Sequence, residues 1–195
     1  MKKSGIFFVL IAVLLSSCLL PNNYELNVVL LKDGSFDMLY EGELIYTPVL
    51  DAISKGEYDK AKKKEFNELV QSLEESEGYT SVKNKGKGTI EVKFKKSVDE
   101  SSDFYFLDKD FKYYSFLYNS DGELSISGFE VDKNSKEGLK AFNIKLSGQL
   151  RVQVPKNLDV TQHNADKSKK LDKNTMEYSW KLDLNSKKPE MLIKL

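Results

Sequence analysis

Residues 24–46, YELNVVLLKDGSFDMLYEGELIY, decide the fold. Residues 24–31 and 36–46 read as two strands around Lys32-Asp33-Gly34-Ser35. Asp-Gly between apolar runs is a hairpin signal, because glycine accepts the positive φ that such turns need. Phe36, Met38 and Tyr40 alternate with Asp37, Leu39 and Glu41, the period of a half-exposed strand. The folded part of the chain therefore opens as an antiparallel hairpin with one apolar face.

Upstream of the hairpin the chemistry changes. Lys2 and Lys3 precede residues 6–15 (IFFVLIAVLL), ten apolar residues without a charge. Ten residues at a helical rise of about 1.5 Å cover about 15 Å, half of a hydrocarbon core of about 30 Å. That length suits the apolar region of a signal peptide and is short for a spanning helix. Leu15-Ser16-Ser17-Cys18 follows and resembles the lipobox of bacterial lipoproteins. The resemblance implies that the Cys18 thiol takes a diacylglyceryl group and becomes the first residue after cleavage. It also implies a lipid anchor in the cell membrane or outer membrane, with the domain on the extracytoplasmic face. Cys18 is the only cysteine, so no disulfide can form within the chain. The expected division is a lipoprotein signal peptide over residues 1–17, a lipidated tether over 18–23 and a single α+β domain over 24–195. A tether of residues 19–23 reaches at most about 17 Å.

Downstream, Thr47-Pro48 marks a helix start, with a hydroxyl cap and proline at the first helical position. Gly56 interrupts, and Tyr58, Ala61, Phe66, Leu69, Val70 and Leu73 then recur at spacings that share one helical face. Lys60, Lys62, Lys63 and Lys64 lie on the same helix, and Glu74, Glu75 and Glu77 crowd its end. The lysines could meet anionic headgroups or be a solvated face. After Gly78 the period becomes two: residues 79–83 and 90–94 read as strands around the NKGKG turn of residues 84–88. Asp121-Gly122 marks a further hairpin with a return strand over residues 123–131. A polar loop is expected over 132–138. Alternation then runs from Phe142 to Val154, with Gly148 as a bend, until Pro155. Residues 157–175 read as a lysine-rich loop with a short extended piece at Val160. Residues 178–184 and 191–195 read as the last strands.

Residues 104–118 stand apart. The chain has 11 Phe, 10 Tyr and 1 Trp, and eight of these fall in this window. Alternation puts Tyr114, Phe116 and Tyr118 on one face and Tyr113 with Leu117 on the other. Such a strand is central and covered twice, or lines a cavity on one side. Phe104, Phe106, Tyr114, Phe116 and Tyr118 are therefore the candidate lining of an apolar cavity. The expected fold is α+β, a mostly antiparallel β-sheet of about seven to nine strands packed on one main amphipathic helix.

Composition excludes much. Lys and Arg together number 30 against 30 Asp and Glu, so no basic excess points to nucleic acid. His163 is the only histidine, and with Cys18 in the anchor no zinc site of His and Cys can form. No Gly-x-Ser-x-Gly elbow accompanies His163. Asp132-Lys133-Asn134 begins like a calcium loop but lacks the glutamate at its twelfth position. No catalytic residue, metal or cofactor is expected.

The hairpin over residues 26–44 (LNVVLLKDGSFDMLYEGEL), Gly78-Tyr79 after the helix, and Pro155, His163-Asn164-Ala165 and Tyr178-Ser179-Trp180 in series resemble the LppM-type lipoprotein domain. That resemblance implies a START or Bet v 1-like fold, whose sheet wraps a helix around a hydrophobic cavity. It implies a membrane-anchored protein that binds a lipid or other apolar envelope ligand. The alternative is a surface interaction, adhesion or envelope-assembly scaffold with no internal ligand.

Overall fold

The structure is a computed structural model. It describes residues 19–107, 113–131, 133–142 and 144–195. Cys18 and the signal peptide lie outside the described residues, as do Phe111 and Asp132.

Twelve strands and three helices are described. In chain order they are β1 (Leu19–Leu30), β2 (Phe36–Tyr46), α1 (Thr47–Ser54), α2 (Lys60–Glu75), β3 (Tyr79–Gly86), β4 (Thr89–Val98) and β5 (Phe104–Phe106). There follow β6 (Tyr114–Tyr118), β7 (Glu123–Ser127), α3 (Lys133–Ala141), β8 (Ser147–Pro155), β9 (Asp159–His163), β10 (Lys167–Lys170), β11 (Thr175–Asp183) and β12 (Glu190–Lys194). The mostly antiparallel character stands. The single sheet expected from the sequence is instead two: seven strands in the order β10-β11-β8-β1-β2-β4-β3 and five in the order β5-β6-β7-β12-β9. Only β1 and β8 pair in parallel among the described ladders.

The opening hairpin is the centre of the larger sheet. Tyr24, Leu26, Val28, Phe36, Met38 and Tyr40 turn inward and are buried. The inner faces of the two sheets meet ring on ring: Phe36 stacks on Phe116 at 4.6 Å, and Tyr40 meets Phe106 at 4.8 Å. Helix α2 does not carry the sheet by itself. It lies against β3 and adds Phe66, Val70 and Leu73 to the same core. Its start is capped by Asp59, whose carboxylate accepts from the Lys62 backbone N–H at 2.9 Å. Past its end Gly78 has φ +92, and a Cβ there would strike the Phe94 ring. In α1 the expected hydroxyl cap is absent: Thr47 is the first helical residue, and Tyr46 precedes it without a side-chain cap.

Three other expectations are corrected. Residues 19–23 are not a tether: Leu19, Leu20, Pro21 and Asn22 pair with Tyr46, Ile45, Leu44 and Glu43. Asn23, at φ 44, forms the bulge that lets β1 continue beyond them. Of the polar loop expected at 132–138, residues 133–138 are helical in α3, while β7 stops at Ser127. In the stretch expected as a lysine-rich loop, the extended piece at Val160 is β9, and a second strand, β10, is an edge strand of sequence KSKK. Charged edges of this kind discourage pairing with other chains.

The two ends of the sandwich differ. At the end where β1 starts, Ile45, Leu139, Ile144 and Leu146 form a second apolar cluster, with Leu20 and Leu50 packed on it. Thus α1 and α3 both close the end nearest residue 19.

Candidate functional site

The five nominated residues of the aromatic window belong to the core or pack against it. Tyr114 and Phe116 are wholly buried, Phe106 is nearly so, and Phe104 and Tyr118 are half-buried at the rim. Each packs on a named neighbour. Phe104 meets Phe36 edge to face at 6.4 Å, and the Tyr118 hydroxyl donates to the Gly34 carbonyl at 2.8 Å. The Tyr24 and Tyr114 hydroxyls share a hydrogen bond of 2.7 Å between the sheets. Burial raises the phenols of Tyr24, Tyr40 and Tyr114 above their ordinary range and pushes Tyr118 up to about 12. The strand that carries these rings, β6, has one face on the other sheet and is second from the edge of its own. None of the five residues lines the surface grooves described next.

Those grooves lie on the outer face of the seven-stranded sheet. One, of about 740 Å³, runs over β1, β2, β4 and the start of β8. A second, of about 640 Å³, continues over β8, β10 and β11. Asn27 and Gln149 line both, so the two form one trough across the sheet. The lining follows from the strand period: while Tyr24, Leu26 and Val28 turn inward, Glu25 and Asn27 must turn out.

Register sets the side chains in rows. Gln149, Glu25, Glu41 and Lys93 are successive partners across β8, β1, β2 and β4, and Arg151, Asn27 and Leu39 form the next row. Arg151 forks onto Glu25 at 2.9 and 3.4 Å and also donates to Gln149 at 2.7 Å. Lys93 pairs with Glu41 at 3.0 Å. Lys169 reaches the nearly buried Glu177 at 3.1 Å. At the bulge, the Asn22 and Asn23 amides both donate to Glu43, at 3.1 and 2.8 Å. Ser147 donates to Asn23 at 2.7 Å and closes this corner.

The trough has two chemical ends. Toward β4 it carries Glu25, Glu41, Glu43 and Glu91 against Lys93. Toward β10 it carries Arg151, Lys167 and Lys169 against Glu177. Glu91 is held below the usual carboxylate range by hydrogen bonds first from Lys83 and then from Lys85. Such an arrangement can bind an extended polar molecule that bears both signs of charge. Among the described residues no group of three metal-ligating side chains gathers. His163 lies on β9, edge to face with Tyr178 at 4.7 Å, away from the trough.

Sequence reasoning missed the trough, although one signal was present. Arg151 is the only arginine in a chain of 30 basic residues. A rigid fork matched to carboxylates is not interchangeable with lysine.

No protein-family model and no curated protein matches the chain. The LppM-type resemblance rests on the residues quoted for it alone. No described helix is long and apolar enough to cross a membrane.

Proposed function

We propose that this chain is a lipid-anchored lipoprotein of the bacterial envelope, held by acyl chains on Cys18. Its sandwich domain is a non-enzymatic interaction module that recognises a partner on the outer face of the large sheet. The anchor reading rests on the signal-like residues 1–17 and the Leu15-Ser16-Ser17-Cys18 box. One acyl chain binds a membrane marginally and two or three hold it stably, at about 0.8 kcal/mol for each buried methylene.

The observation that carries the rest is the contrast between the packing of the described aromatic residues and the open trough. The residues nominated to line an apolar cavity pack on one another, whereas about 740 and 640 Å³ of joined, charged groove stand open outside. This favours an interaction scaffold over an internal apolar ligand, which would have to separate Phe116 from Phe36. Photo-crosslinkers placed at Leu39 and Gln149 in cells test it. Both positions should give the same discrete adduct, lost in Arg151→Glu, while exposed Glu74 on α2 gives none. Equal labelling from all three positions would remove the trough as a binding face.

A further inference from the structure

Residue 19 is already the first residue of the sheet. Leu19 pairs with Tyr46, so the chain enters the sheet at the end of the sandwich closed by α1, α3 and the β3–β4 turn. Cys18 is one peptide unit, about 3.8 Å between Cα atoms, from Leu19.

That end also differs in charge. The first turn of α2 brings Lys60, Lys63 and Lys64 there, because Phe66, one turn on, stacks with Tyr46 at the end of β2. Lys87 in the β3–β4 turn, Lys140 on α3 and Lys145 after it are exposed at the same end. Lys60, Lys63, Lys87, Lys140 and Lys145 take part in none of the described ion pairs. Acidic groups are present there too: Asp51 is held by Lys55 at 2.6 Å, while Glu57, Asp59 and Glu137 are exposed and in none of the described ion pairs, so five lysines stand against three carboxylates. The opposite end reverses the balance. Its turns carry Asp33, Asp99, Glu100, Asp103, Asp121 and Asp172, with Lys32, Lys156 and Lys173 among them. Helix α2 repeats the polarity, running from its lysines to Glu74 and Glu75.

Exposed apolar side chains do not distinguish the ends by themselves. Ile53 and Phe142 are each 39% exposed near α1 and α3, but Leu31 and Leu171 are exposed at the far end. Charge and covalent attachment together do distinguish them.

We propose that the end formed by α1, α3 and the start of α2 docks on the anionic headgroups of the membrane that holds the Cys18 acyl chains. The sandwich then stands upright, with the turns at the far end of β1 about 35 Å from the lipid. The trough faces sideways, and the part around Asn23 to Asn27 lies about 13–26 Å above the headgroups. A partner is recognised in that layer. This inference rests on the reading of Cys18 as the lipidated residue.

The test uses the full acylated protein in vesicles of phosphatidylcholine, with and without phosphatidylglycerol. Ile53→Cys, Phe142→Cys and Leu171→Cys are labelled singly with an environment-sensitive fluorophore, and the lipid carries a quencher. Labels at 53 and 142 should be quenched in the anionic vesicles and the label at 171 should not. Lys60→Gln and Lys63→Gln should each lower the ratio of docked to undocked protein about fivefold. Raised salt should have the same direction of effect. Quenching at 171 equal to that at 53, or none at 53, overturns the docking with the anchor intact. A mature N-terminal peptide with no acyl mass on Cys18 overturns the anchor itself, and the docking with it.

Discussion

The two faces of the seven-stranded sheet are made by the same strands one residue out of step, and they have opposite chemistry. On β1 the inward set is Tyr24, Leu26 and Val28 and the outward set is Glu25 and Asn27. On β8 Leu150 and Val152 face in while Gln149 and Arg151 face out. The inner face is packed by rings from the second sheet and carries the stability. The outer face holds paired charges in an open trough, which costs the fold little to alter. Burial thus separates folding from recognition across the thickness of one sheet. Changes on the inner face should be read in denaturation, and changes on the outer face in binding.

The largest effect is expected at Phe116, wholly buried against Phe36. Phe116→Ala should destabilise by about 3–5 kcal/mol in chemical denaturation, from lost burial and the cavity left behind. Leu39→Ala, on the outer face and 37% exposed, should stay within about 0.5 kcal/mol. Equal losses at the two would erase the contrast.

Gly148→Ala comes next. Gly148 pairs with Tyr24 across β1 and β8, and a Cβ there would clash with the edge of the Tyr24 ring. The ring has nowhere to retreat, since it stacks on Tyr40 at 5.3 Å and its hydroxyl is bonded to Tyr114. A loss of about 1–3 kcal/mol is expected, the ordinary range for overpacking. A neutral Gly148→Ala would place Tyr24 elsewhere.

Alkaline pH probes the same rings. Burial raises Tyr24, Tyr40 and Tyr114 above the ordinary phenol value near 10. A group with a raised folded pKa contributes fully below its unfolded value and loses that contribution as pH climbs from there toward the folded value. Stability should therefore be insensitive to these groups below about pH 10. It should fall by up to about 1.4 kcal/mol per pH unit for each tyrosine above it. Tyrosinate absorbance should rise with unfolding and not before it; early titration of all three phenols would show them in contact with water.

The smallest stability effect is expected where the binding effect is largest. Arg151→Gln removes a partly exposed ion pair with Glu25, worth under about 1 kcal/mol. The same change should abolish capture at the trough.

The parts of this fold legible in the sequence are those whose side chains report burial. The β1–β2 hairpin alternates strictly from Phe36 to Glu41, and α2 shows Phe66, Val70 and Leu73 at helical spacing. Strand β10 escaped, and β9 showed only as a short extended piece at Val160, because their residues are almost all exposed and carry no apolar period. Residues 19–23 read as a linker because Pro21 and two asparagines break the pattern, yet pairing with Glu43, Leu44, Ile45 and Tyr46 makes them strand. Period alone also places a ring on a face without saying which layer covers that face. The aromatic window was therefore found while its partner was not: Phe116 meets Phe36, eighty residues earlier in the chain. The trough residues were hidden for the converse reason, since alternating polar positions look like solvated ones until register sets Arg151 beside Glu25.

Native mass spectrometry of the mature acylated protein, with lipids extracted from the same preparation, bears most directly on the claim that the interior is filled and recognition lies outside. The mass should equal the chain plus the acyl groups on Cys18, with no further apolar molecule retained. A stoichiometric lipid released only on unfolding would contradict it, and would return Phe104, Phe106, Tyr114, Phe116 and Tyr118 to the lining of a cavity.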